Sequence, residues 1–146
     1  MDPSTNQILS SVVLEVKGLG IQIWANPGGD SIQAIRMTWA TEPSTHRTIG
    51  SPSGTPTEIT LAASERVTSM KIWASDAVHK IEITTEGGQV LQQGADGGEI
   101  FEMEVGSGFL AGLQGAANSN TILRLGPYFF EPYALGRTHN AQVGLA

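Results

Sequence analysis

Short runs of alternating apolar and polar residues recur along the chain, divided by glycine-rich turns. In the run 31–40, Ile35, Met37 and Trp39 alternate with Arg36 and Thr38, the period of a strand with one buried face. Ile59 and Leu61 share a face in 57–62, and Ile81 and Ile83 oppose Lys80, Glu82 and Thr84 in 79–85. Phe101, Met103 and Val105 line up in the same way in 100–105. Further short strands are expected at 11–16, 21–24, 66–74, 90–93, 109–115 and 121–130. Turns are expected at Lys17-Gly18-Leu19-Gly20, at Pro27-Gly28-Gly29-Asp30, over 50–56, at Ser75-Asp76-Ala77-Val78, at Glu86-Gly87-Gly88-Gln89 and over 94–99. The pattern predicts about eleven or twelve strands and no helix, hence an all-β sandwich, barrel or prism. Evenly spaced hairpins allow an internal repeat, although no sequence period stands out. The tail 131–146 loses the alternation and reads either as a loosely held end or as a strap across the domain or a second subunit.

Composition narrows the chemistry. With 146 residues, 40% of them hydrophobic and 15% charged, the chain suits one domain with a real core. Its 18 glycines agree with many tight turns. The net charge is −6 and the eight basic residues are scattered, so neither nucleic acid nor an anionic membrane surface is an expected partner. The absence of cysteine excludes disulfides, thiolate metal sites and a cysteine nucleophile. No signal peptide, transmembrane segment or Asn-x-Ser/Thr acceptor is evident, which predicts a cytoplasmic protein or one secreted without a signal peptide.

Catalytic signals are weak. His46, His79 and His139 lack metal-ligand spacing, and the stretch "GSPSG" has proline where a nucleophile elbow needs serine. Glu102 and Glu104 alternate with Phe101 and Met103, as on a solvated strand face rather than in a glycosidase pair. No catalytic residue, metal or cofactor is therefore assigned.

Four segments in order carry a family resemblance: "IWANPGGDSIQAIRMTW", "GTPTEITLAASERVTSMKIWAS", "VHKIEITTEGGQVLQQGADGGEIFEMEV" and "GFLAGLQGAANSNTILRLGPYF". Together, over about residues 17–130, they resemble the jacalin-related lectins. The resemblance implies a β-prism of three four-stranded Greek keys around a pseudo-threefold axis. It also implies binding of mannose- or galactose-type sugars by loops at one end. The neutral loop "GAANSNT" falls on the family's last sugar loop, so Asn118, Ser119, Asn120 and Thr121 become candidate ligand-binding residues. Gly18, Leu19 and Gly20 match the family's glycine-rich first loop, and Asp76 lies on a third loop as a sugar acceptor or a simple turn residue.

One departure stands out. The family carries an aspartate just before its last strand, where this chain has Ile122 or Leu123. Either Asn120 takes over its role from a shifted position or the sugar site is altered or lost. Trp24 and Trp39 read as core or half-core, and Trp73 either as core or as a stacking face for a sugar. The expected protein is a carbohydrate-binding lectin acting on glycans or glycoproteins, without cofactor. The alternatives are a prism that has lost sugar binding and serves as an interaction module, and a glycan-processing enzyme. The aromatic segment "PYFFEPYAL" predicts a homodimer or larger assembly.

Overall fold

A computed structural model describes residues 18–40, 44–130, 138–140 and 143–144. Every element among them is a strand: β1 (Gly18–Ala25), β2 (Ile32–Trp39), β3 (Thr45–Gly50), β4 (Thr57–Ala62), β5 (Val67–Ala74), β6 (Val78–Thr85), β7 (Val90–Gly94), β8 (Glu99–Glu102), β9 (Leu110–Ala117), β10 (Ile122–Phe130), β11 (Thr138–Asn140) and β12 (Val143–Gly144). Two sheets have the strand orders β3-β2-β1-β4 and β7-β6-β5-β8, and all their pairings are antiparallel. In each, three hairpin-linked strands are followed by a fourth that returns beside the first, which is a Greek key. The third sheet is built on β10, which pairs with β9 and with both short C-terminal strands.

The inner faces of the three sheets meet in one core. Ile21, Ile23, Ile35, Met70, Ile72, Ile81, Ile83, Ile122, Leu125 and Phe129 are at most 1% exposed. Alternation along each strand creates this: Leu19, Ile21 and Ile23 face inward while Gly20, Gln22 and Trp24 face outward.

A threefold relationship invisible as a sequence period appears in the register. Trp24 pairs with Ala34, Trp73 with Lys80, and Ala116 with Arg124. Each pair is followed by a register shift, at Trp24/Ala25, at Trp73/Ala74 and at Ile122/Arg124. Ala34, Lys80 and Arg124 then pair on their other side with Gly50, Gly94 and Gly144. At two of these sites glycine is a steric necessity. A Cβ on Gly50 (φ 89°) would lie 2.2 Å from the Gln33 carbonyl oxygen, and one on Gly94 (φ 99°) 2.0 Å from that of His79.

The all-β prism expected from the sequence is therefore the observed fold, with local corrections. Gly18, Leu19 and Gly20 are not a turn but the start of β1, where Leu19 pairs with Trp39 on one side and Leu61 on the other. The strand expected at 11–16 lies outside the described residues. Strand β3 went unforeseen because Thr45, His46, Arg47 and Thr48 are all exposed, so no apolar alternation marks them. Strand β8 stops at Glu102, although Met103 and Val105 still pack on the core. The backbone pairing of 138–140 and 143–144 with β10 fits the strap reading of the tail. Within the aromatic segment expected to favour assembly, Phe129 is wholly buried and Phe130 is partly buried. Tyr133 lies outside the described residues.

Candidate functional site

Three hairpin loops gather at one end of the prism: 26–31 between β1 and β2, 75–77 between β5 and β6, and 118–121 between β9 and β10. Hydrogen bonds hold them together. The Thr121 hydroxyl donates to the Ile32 carbonyl at 3.1 Å, tying the third loop to the first. His79 Nδ1 lies 3.1 Å from the Asp30 carbonyl oxygen, tying the second loop to the first. Its Nε2 lies 2.7 Å from Ser75 Oγ, which in turn contacts Asp76 Oδ1 at 3.0 Å. Gly97 packs against the His79 ring, where an added Cβ would come within 3.1 Å.

Each loop is also braced internally. Asn118 Oδ1 accepts the backbone N–H groups of Asn120 (2.8 Å) and Thr121 (2.9 Å), and Asn118 N–H donates to the Thr121 carbonyl (3.0 Å). This Asx-type turn explains the small polar composition of the segment: the asparagine carbonyl supplies the acceptor that the tight backbone needs. It leaves Asn118, Ser119 and Asn120 exposed at the tip. In the first loop Asn26 Oδ1 accepts the Asp30 N–H at 3.2 Å, while its Nδ2 donates to Ser31 Oγ at 2.7 Å.

The outer walls behind the loops differ between sheets. Trp24 is 5% exposed, donates Nε1–H to the Gly54 carbonyl (3.2 Å) and has the Arg36 guanidinium 5.4 Å from its ring centroid. Trp73 is 8% exposed beneath Lys80, whose ammonium lies 4.7 Å from the ring centroid and pairs with Asp96 at 2.8 Å. Both rings are covered by their own chain, so neither offers a free stacking face. Trp39 is partly buried and donates to the Ala111 carbonyl at 3.1 Å. Beside the third loop lies an open groove of about 550 Å³ lined by 48–51 from β3 and its following loop and by 115–119 from β9 and its loop.

The candidate residues do not all converge. Asn118, Ser119, Asn120 and Thr121 form one loop, and Asp76 sits on a neighbouring loop of the same end. Gly18, Leu19 and Gly20 lie at the far end of β1, with Gly18 paired to Ala62 and its carbonyl accepting from Ala40 N–H. That places them about 20 Å or more from the loops, at roughly 3.4 Å per strand residue. The glycine-rich segment that does adjoin the 118–121 loop is 26–31, which the sequence marks as a turn. The Asp76 carboxylate accepts from the Ser75 hydroxyl at 3.0 Å. Thr121 spends its hydroxyl on Ile32 and so positions the loop. At the family's aspartate position neither residue is polar: Ile122 is fully buried in the core and Leu123 is half-buried.

The opposite end carries a different polar cluster. Glu65 accepts from Thr85 Oγ1 (2.5 Å), from Gln89 Nε2 (3.0 Å) and from Ala62 N–H (3.1 Å). The Thr85 hydrogen bond, then those of Gln89 and Ala62, hold its carboxyl below the ordinary carboxylate value. Among the described residues no cluster of His, Asp and Glu is arranged to hold a metal ion.

No curated protein matches the chain in sequence. Among solved structures, a lamprey immune protein superimposes with a TM-score of 0.62 at 17% identity over 72% of this chain, which spans 34% of that protein. The Malaysian banana lectin gives a TM-score of 0.58 at 26% identity, covering 72% of this chain and 77% of that one. The Calsepa lectin, solved in complex with a bisected glycan, gives 0.57 at 15% identity, covering 80% and 84%. The model of the Jacalin-like lectin domain matches residues 8–128, and the chain therefore belongs to that family.

Proposed function

We propose that the chain is a lectin for neutral, mannose- or galactose-type saccharides, which it holds at the loop end of the prism through Asn118, Ser119 and Asn120. The observation that carries this reading is the Asn118 turn. It presents uncharged amide and hydroxyl groups at an end where two further loops are tied alongside. Neutral donors and acceptors suit a hydroxyl-covered ligand because pairing them requires no charge to be stripped of water. Asp76 borders the site on the neighbouring loop. Backbone groups of Gly18 and Gly20, at the other end of β1, lie beyond the reach of the same monosaccharide.

Such a site is shallow, so each contact is weak and useful strength comes from several sites or from a homodimer or larger assembly. Light scattering at micromolar concentration, with and without residues 131–146, tests the assembly. Glycan-array screening followed by calorimetry tests the binding itself: a neutral glycan should bind, and Asn120→Ala should weaken it.

A second reading has its own support. The apolar Ile122 and Leu123 supply no acceptor where the family has its aspartate. On that reading the prism is an interaction module without sugar binding, and an array blank for all neutral glycans would select it.

A further inference from the structure

The register shift in each sheet leaves one residue without a partner across the hairpin: Gln33 between Ile32 and Ala34, His79 between Val78 and Lys80, and Leu123 between Ile122 and Arg124. Such a bulge re-aims its side chain. Gln33 sends its amide N–H to the Ser51 carbonyl at 2.7 Å. His79, its counterpart, reaches the Asp30 carbonyl on loop 26–31 and Ser75 on loop 75–77, and of the three it alone can titrate. The contacts around its ring decide how many protons it must carry for each to be a hydrogen bond. The Asp30 carbonyl only accepts, so Nδ1 needs a proton. The Asp76 carboxylate only accepts, so Ser75 must give it its single hydroxyl proton. Ser75 Oγ can then only accept from Nε2, 2.7 Å away, so Nε2 needs a proton too. The imidazolium satisfies all three contacts, whereas either neutral tautomer sets two acceptors face to face, at Asp30 or at Ser75.

We propose that His79 is a positioning residue whose protonated ring clamps loop 26–31 to loop 75–77, so that the loop end of the prism is firmer and binds its sugar more tightly on the acidic side of neutrality. The clamp stands on geometry alone, and its consequence for sugar rests on the lectin reading above. Histidine is the side chain whose charge changes in this range. The charged groups on the elements packed around the ring are Asp30, Asp76, Asp96 beside Gly97, and Lys80 next along β6. Lys80, the cation among them, is paired with Asp96 at 2.8 Å, so no bare positive charge opposes the proton on His79. The effect reaches the 118–121 loop because Thr121 bonds Ile32, next to the clamped segment. Asp30, Ser75 and Asp76 are exposed and one hydrogen bond is at stake, so the response should be modest.

The test compares about pH 5.5 with about pH 7.5, on either side of the histidine range. Amide exchange of the full chain is followed by NMR, each rate divided by its intrinsic value at that pH. The Asn26, Asp30 and Ser75 amides, which bond the Ser31 carbonyl, Asn26 Oδ1 and the Ala77 carbonyl, report the two loops. Their protection should be roughly two- to tenfold greater at the lower pH, as one hydrogen bond provides. The Asn120 and Thr121 amides, held by Asn118 Oδ1, should change less. Ser75→Ala removes the relay to Asp76, and His79→Gln substitutes the side chain that Gln33 carries at the equivalent bulge. Both should abolish the pH response, and each keeps His46 and His139, so a response due to those would survive. Calorimetry with methyl α-mannoside and methyl β-galactoside at the two pH values then reads the consequence: the sugar that binds should bind roughly two- to tenfold tighter at the lower pH. Protection equal at both pH values, or a response kept in both variants, overturns the clamp. A clamp that responds while sugar affinity does not overturns its role in binding. If neither sugar binds at either pH, the lectin reading fails and takes that role with it, while the exchange data still decide the clamp.

Discussion

Thr121 Oγ1 donates to the Ile32 carbonyl oxygen at 3.1 Å, joining two loops that are 89 residues apart in the sequence. The bond fixes the base of the 118–121 loop against the start of β2 and orients the residues at its tip. Thr121→Val keeps the shape and removes the donor. It should cost about 0.5–1.5 kcal/mol of stability, the net worth of one hydrogen bond. It should also weaken glycan binding several-fold without removing a ligand contact. Thr121→Ser should restore both. Denaturant melts and calorimetry on the two variants check this, and equal binding by Thr121→Val and wild type would show that the tie does not matter.

At the tip, Asn120→Ala removes one or two hydrogen bonds to a bound sugar. At about 0.5–1.5 kcal/mol each, affinity should fall roughly two- to a hundredfold with the melting curve unchanged. Asn118→Ala should cost more, because Asn118 also accepts the N–H groups of Asn120 and Thr121, and the loop loses its shape with it. Calorimetry with a glycan from the array measures both. Equal losses would mean that the turn is not what presents the site.

Far from the site, Glu65 makes stability depend on pH. Its carboxyl titrates below the ordinary value in the folded chain, so the stabilisation is present above the unfolded pKa and is lost as pH falls through the folded one. Glu65→Gln should therefore destabilise the domain at pH 7, by about 0.5–1 kcal/mol once solvent screening at this partly exposed position is allowed for. The gap should close toward pH 3. Urea melts across that range measure it, and a gap constant with pH would contradict the role of the charge.

Gly94→Ala tests the close approach of β7 to β6. Its Cβ would meet the His79 carbonyl oxygen at 2.0 Å, at a φ that side chains avoid. Strain and overpacking together predict a loss of about 2–5 kcal/mol. Because His79 links two of the loops, sugar binding should weaken as well. A melting temperature within a degree of wild type would show that the backbone there shifts freely.

The core was legible in the sequence wherever a strand has one buried and one wet face. Ile35 with Met37 and Ile81 with Ile83 lie inside as their alternation required. Strand β3 was not legible, since an exposed edge imposes no apolar pattern on Thr45–Thr48. The turn assigned around Gly18–Gly20 failed because glycine suits a turn and a closely paired central strand alike; Gly18, between Ala62 and the Ala40 contact, is the latter. At the site, the polar loop 118–121 was visible from its composition. What the sequence could not convey is which loops share an end of the prism. That depends on the pairing of strands distant in the chain, and it set Gly18 apart while bringing Asp30 to His79.

The most direct test of the account is to map a sugar onto the chain by amide chemical shifts. Methyl α-mannoside and methyl β-galactoside would each be titrated into the labelled protein. The account predicts that one of them shifts amides in 117–121, with smaller changes in 26–31 and 75–79, and none around 18–20, 62–66 or 85–89. Shifts centred on that opposite end, or no shifts with either sugar at tens of millimolar, would contradict it.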